Sequence, residues 1–156
     1  MRGFFFANCG GGAPVNLIVS RHRELRPTVN RYDPDRAPSA KMWLALDEGE
    51  RIYLVEKYHE ASRISVPNPT THAVIHVVVE NQLASPEQTI VRETLERLMN
   101  QGLRRHDALH AIGAVLAAQI HDALKPGAAA RFSEPAYQAE LKRLSAKRWR
   151  AGKVPE

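Results

Sequence analysis

The chain has 156 residues, 44% hydrophobic and 25% charged, the make-up of one ordinary globular domain able to bury a core without covalent staples. No apolar run approaches the roughly 18–20 residues needed to cross a bilayer, and the apolar stretch Phe4-Phe5-Phe6-Ala7 is shorter than the roughly 7–15 residues of a secretion signal's core. Cys9 is the single cysteine, which excludes an internal disulfide and a cysteine-rich zinc knuckle, so a cytoplasmic protein without a membrane partner is expected.

The net charge of +5 is unevenly spread. Arginines from Arg2 to Arg36 and the basic run from Lys142 to Lys153 flank a near-neutral or acidic middle. Basic ends of this kind read first as solvated faces, though they leave a nucleic-acid partner open. The aromatic interleaving of a base-stacking platform is missing. A homo-oligomer is compatible with this composition and is not specified by it.

In chain order, residues 1–38 carry Gly10-Gly11-Gly12 and four prolines without sustained periodicity, and are expected to form an irregular leader, with disorder left open. Residues 39–156 are expected to form a single helical domain. Ser39 can cap a short helix through Met42, Trp43 and Leu46, and Asp47 can start a second that runs to His59. Pro67-Asn68-Pro69 then breaks the chain, with Thr70 or Thr71 as the next N-cap. The β-branched run from His72 to Ala84 suits either a buried strand or a buried helix. Its length and helical neighbours favour the helix. Ser85-Pro86-Glu87 supplies an N-cap, a proline at the first helical position and an acidic first turn for a helix stopping at Gly102. A long helix from Arg104 to Leu124 ends before Pro126-Gly127, and an amphipathic one follows from Glu134 to Arg150. The fold class is all-α, a compact bundle of five or six helices.

Five residues stand out by spacing. His72, His76 and Glu80 fall at i, i+4 and i+8, which places them on one stripe of a helix, and their even spacing would keep them on one face of a strand. His106 and His110 form a second i, i+4 pair, the spacing with which one helix offers two imidazoles to a single ion. On facing helices the two groups would build a metal site from His72, His76, Glu80, His106 and His110. Imidazole with carboxylate suits zinc, iron or manganese rather than calcium. No nucleotide-cofactor fingerprint is present. Glu80 sits in an apolar run, and a buried carboxylate requires a partner: a histidinium, an arginine or a metal. His59, ending its helix, can add a ligand but carries no spacing signal.

Other readings compete for these residues. They can serve as a structural His–Glu network pinning two helices in an interaction module. A zincin helix resembles the His106/His110 pair, but Asp107 stands where that motif has Glu, so a peptidase is not expected. Hemerythrin-like bundles offer a looser resemblance, in the paired spacings His76–Glu80 and His106–His110, and their later His-to-Asp spacing is missing, since His121 and Asp122 are adjacent. Arg105 followed by His110 resembles the Arg-x4-His pattern of HEPN-type ribonucleases, which would use Arg105 on phosphate and His110 in proton transfer without metal.

The segments His72-Ala-Val-Ile-His76-Val-Val-Val-Glu80-Asn81-Gln82 and Gly102-Leu-Arg-Arg-His106-Asp-Ala-Leu-His110-Ala-Ile-Gly113, with Trp43 and Leu46-Asp47-Glu48, resemble a small bacterial family catalogued as a domain of unknown function. The resemblance spans about Tyr32 to Trp149 and leaves residues 1–30 unmatched. It implies a small helical cytoplasmic protein and carries no activity with it.

Overall fold

A computed structural model describes residues 30–125 and 132–153. Of the leader expected over residues 1–38, residues 1–29, with Cys9, lie outside these, as does the Pro126-Gly127 stop, while residues 30–38 are described and bury Tyr32 in the core. The described residues form seven helices and no strand: α1 (Ala40–Ala45), α2 (Glu48–Ala61), α3 (Pro69–Ala84), α4 (Thr89–Asn100), α5 (Arg105–Ala123), α6 (Glu134–Arg143) and α7 (Ala146–Arg150). None of them is long and apolar enough to cross a membrane.

Most helix ends follow from the residues that cap them. Asp47 closes a reciprocal capping box with Glu50, accepting from the Glu50 amide at 2.7 Å while the Glu50 carboxylate accepts from the Asp47 amide at 3.0 Å. The cap of α3 is Asn68, not Thr70 or Thr71. Its side chain accepts from the Thr71 amide at 3.0 Å, and Pro69 occupies the first helical position, where no N–H is needed. The Ser85-Pro86-Glu87 signature is used as a turn rather than a cap: Ser85 ends α3, its hydroxyl donates to Glu87, and α4 starts at Thr89. Gly102, at φ +87°, lets the Gly102 and Leu103 amides return to the Met99 and Leu98 carbonyls at 2.9 and 3.1 Å. The same closure after α2 uses Arg63 at φ +53°, with Ile64 N–H on the His59 carbonyl at 3.0 Å. Nothing in the structure explains an arginine there.

The expected final helix is two. Leu144 is extended, at φ −65° and ψ +134°, and Ser145 caps α7 by accepting from the Arg148 amide at 3.3 Å. The break lets Leu144 and Ala146 both reach the core. Arg97 donates to the Leu141 and Leu144 carbonyls left over at the break, at 2.6 and 3.2 Å, and Arg150 donates to the Gly102 carbonyl at 2.8 Å. Some of the basic charge in this region therefore completes backbone hydrogen bonding.

Helices α3 and α5 are the centre. One apolar cluster joins α3, α4, α5, α6 and α7, around Leu98, Leu109, Ile112, Val115 and Tyr137. A second joins α1, α2 and α3, around Trp43, Val55 and Val77, and includes Tyr32 from the irregular stretch. Helices α3 and α5 approach closely at Gly113, where an added Cβ would lie 2.7 Å from Ile75 Cγ2. Three successive residues near the end of α3 fan out to different neighbours. Glu80 meets Arg105 of α5; Asn81 accepts from Trp43 Nε1 and Arg51 at 2.8 and 2.6 Å; Gln82 accepts from the Tyr137 hydroxyl at 2.9 Å. About 100° per residue on a helix produces this spread.

Candidate metal centre

Five imidazoles meet where α2, α3 and α5 face one another. His59 comes from the last turn of α2, His72 and His76 from α3, and His106 and His110 from the first two turns of α5. Their ring centroids lie 4.3 Å apart for His106 and His110, 4.7 Å for His72 and His76, 4.9 Å for His76 and His110, and 5.0 Å for His59 and His76. Ligand atoms of His59, His72, His76 and His110 all fall within 4.8 Å of one another, a group that can hold a metal ion. Zinc–nitrogen bonds of about 2.0–2.1 Å set tetrahedral nitrogens roughly 3.3 Å apart, so closure on an ion requires shifts of about 1 Å or less.

Nitrogen chemistry fits that use. The Val55 carbonyl accepts from His59 Nδ1 at 2.8 Å, which places that ring's proton on Nδ1 and leaves Nε2 to accept from His72 Nε2 at 3.1 Å. Tyr32 donates its hydroxyl to Glu80 Oε1 at 2.9 Å, so its oxygen can accept from His76 Nδ1 at 3.4 Å. That hydrogen bond frees Nε2. The Nε2 atoms of His76, His106 and His110 are buried without a hydrogen-bond partner in the structure. Buried polar atoms are ordinarily paired, and three orphan imidazole nitrogens in one place match an ion's requirements.

Electrostatics keep four of the rings, His72, His76, His106 and His110, neutral. Burial first, and then the neighbouring imidazoles, lower the pKa values of His72 and His110 to about 4. His106 is lowered to about 4 by burial and by His59, with Asp35 opposing. His76, the deepest of the four, is lowered furthest, by burial and then by His110 and His72. Neutral imidazole is the form that coordinates metal.

Glu80 does not join the ligands. Both its oxygens accept from Arg105, at 2.8 and 2.7 Å, in a fork–fork pair that is 1% exposed on the Glu80 side and 6% on the Arg105 side. Arg105 also donates to the Pro34 carbonyl at 2.7 Å, and burial is outweighed by Glu80 in holding its pKa up. Tyr32, buried against Glu80, has its pKa raised well above the ordinary value by desolvation and by that carboxylate. Glu80 is thus a positioning residue that reaches His76 through Tyr32. The same pairing corrects the ribonuclease reading, because an arginine committed to Glu80 and buried cannot present its charge to phosphate.

His106 lies beside the converging four, 5.3 Å from His76 by ring centroids and in edge contact with Tyr58 at 5.7 Å. Asp35 accepts from its backbone amide at 3.3 Å and from Arg104 at 2.6 Å, fastening residues 32–36 over the start of α5. His59 and Tyr32 are the two residues that spacing did not bring forward. The signal for His59 was its place at the end of its helix, and Tyr32 offered none. No family model, curated protein or solved structure matches the chain.

Proposed function

We propose that the chain is a metal protein in which His59, His72, His76 and His110 hold one divalent transition ion, zinc, iron or manganese, and that the ion serves as an enzymatic centre for hydrolytic or redox chemistry. The observation that carries this reading is the convergence of four imidazoles from three helices, with the Nε2 atoms of His76 and His110 buried and unpartnered and those of His59 and His72 in contact with each other. The pairing of Glu80 with Arg105 supports it as well, because the carboxylate orients His76 without occupying a coordination position. Three of the four histidines line a cavity, so a small molecule can reach the ion, and reaction there requires the ion to expand to five ligands or to release one imidazole.

The non-enzymatic reading, in which these residues only pin helices together, has one observation in its favour. The Glu80–Arg105–Tyr32 network is satisfied by protein groups alone. Elemental analysis of protein purified without added metal separates the two, set beside a His59→Ala, His110→Ala double variant. Near-stoichiometric zinc, iron or manganese in the first and none in the second supports the metal protein. No metal in either, with thermal stability unmoved by added Zn2+, Fe2+ or Mn2+, overturns it in favour of the structural network.

A further inference from the structure

A cavity of about 390 Å³ opens onto the histidine group, with His72, His76 and His110 on its floor and Val66, Ile75, Leu109 and Trp149 among its walls. That volume lies within the roughly 300–1,000 Å³ typical of small-molecule sites. Among the described residues that line it there is no Lys, Arg, Asp or Glu, and the only other side chains with polar atoms are Asn68, Thr71 and Trp149. Asn68 is already engaged in capping α3.

Resting on the metal reading above, we propose that this cavity binds a small, largely apolar molecule bearing a single anionic head, of the carboxylate class, which coordinates the ion. The charge balance selects the head. Four neutral imidazoles leave the ion's two positive charges uncompensated, and the one buried carboxylate nearby, Glu80, is neutralised by Arg105. An anionic donor entering as a fifth ligand supplies the missing charge. The walls select the body, because they offer apolar surface and no partner for a second charged group, which would be desolvated without compensation. A phosphorylated ligand or a dicarboxylic acid is therefore rejected, and an aromatic or branched aliphatic monoacid fits.

Co2+-loaded protein provides the test, read by its visible ligand-field bands and by fluorescence quenching with Trp149 at the cavity wall. Benzoate is expected to bind at least tenfold more tightly than acetate, which has the head without the body, and than benzamide, which has the body without the charge. Ala117→Trp at the exposed rim and Ala114→Phe deeper in are each expected to take up Co2+ normally and to lose benzoate binding at least tenfold. Equal affinity for benzoate and acetate, equal affinity for benzoate and benzamide, or benzoate binding indifferent to both cavity-filling variants overturns the proposal and leaves the metal reading standing. Failure of the parent protein to take up Co2+ overturns both.

Discussion

Glu80→Gln isolates what the buried ion pair contributes. The substitution keeps the shape of the side chain and removes its charge, leaving the Arg105 guanidinium, 6% exposed, without a counter-ion. Removing one partner of such a pair costs about 3–5 kcal/mol, since the remaining charge is still desolvated. Tyr32 loses its ionised acceptor at the same time, and with it the link that holds the proton of His76 on Nδ1. Two effects are expected: a fall of about 3–5 kcal/mol in urea-unfolding free energy for metal-free protein, and a metal affinity lower by about 10–100-fold, the usual cost of losing an orienting partner. Tyr32→Phe separates them. It leaves the Glu80–Arg105 fork intact, so its stability cost should be only about 1–3 kcal/mol while metal affinity still falls. Zn2+ titration by calorimetry and urea unfolding of both variants provide the measurements. A Glu80→Gln variant within 1 kcal/mol of the parent, or a Tyr32→Phe variant with unaltered Zn2+ affinity, would refute the reasoning.

Further outcomes follow from the same geometry. Zn2+ at a hundred times its dissociation constant should stabilise the protein by about 2.7 kcal/mol, a shift of several degrees in a melting curve, and the His59→Ala, His110→Ala variant should show none. In metal-free protein the folded imidazoles of His72, His106 and His110 titrate near 4, below the ordinary histidine value near 6.5. Between those values the unfolded chain binds more protons, so stability should be full above about pH 6.5 and decline as pH falls towards 4. After discounting for partial exposure the slope should be about 2 kcal/mol per unit; a flat urea midpoint from pH 7 to 5 would contradict it. Gly113→Ala should cost about 1–3 kcal/mol, because its Cβ would meet Ile75 Cγ2 at 2.7 Å. Arg63→Gly should raise the unfolding free energy by up to about 1 kcal/mol by relieving a left-handed backbone at φ +53°.

The fold was legible wherever punctuation and periodicity agreed. Asp47 and Gly102 stand where sequence places them, and the β-branched run after His72 forms a helix despite its residue types. Its propensity is outweighed because Ala73, Val77 and Val79 bury on neighbouring helices, and tertiary packing overrides a few tenths of a kcal/mol per residue. The boundaries that sequence misplaced turn on alternatives a local reading cannot rank. Asn68 competes with two threonines for one cap, and Ser85 can end one helix as well as start another. The break at Leu144 has no glycine or proline to announce it. It exists because Arg97, 47 residues away, accepts the task of satisfying the Leu144 carbonyl.

The site was legible as a set of aligned positions and not as a set of bonds. Spacing brought His72, His76, His106 and His110 onto facing stripes, yet spacing assigns a residue to a face and leaves its partner open. For Glu80 the partner was one of the three that burial demands, and in the structure it is Arg105. Energetics make that choice exclusive. Were Glu80 to turn to an ion, Arg105 would keep a buried charge with no carboxylate against it, at a cost of about 3–5 kcal/mol. The ion would therefore have to gain that much from a carboxylate over the imidazole it displaces. With four imidazoles already converging, it is cheaper to leave Glu80 on Arg105 and let Tyr32 carry its influence to His76. This also accounts for a tyrosine from outside the helices, 2% exposed, sitting between the carboxylate and the ring.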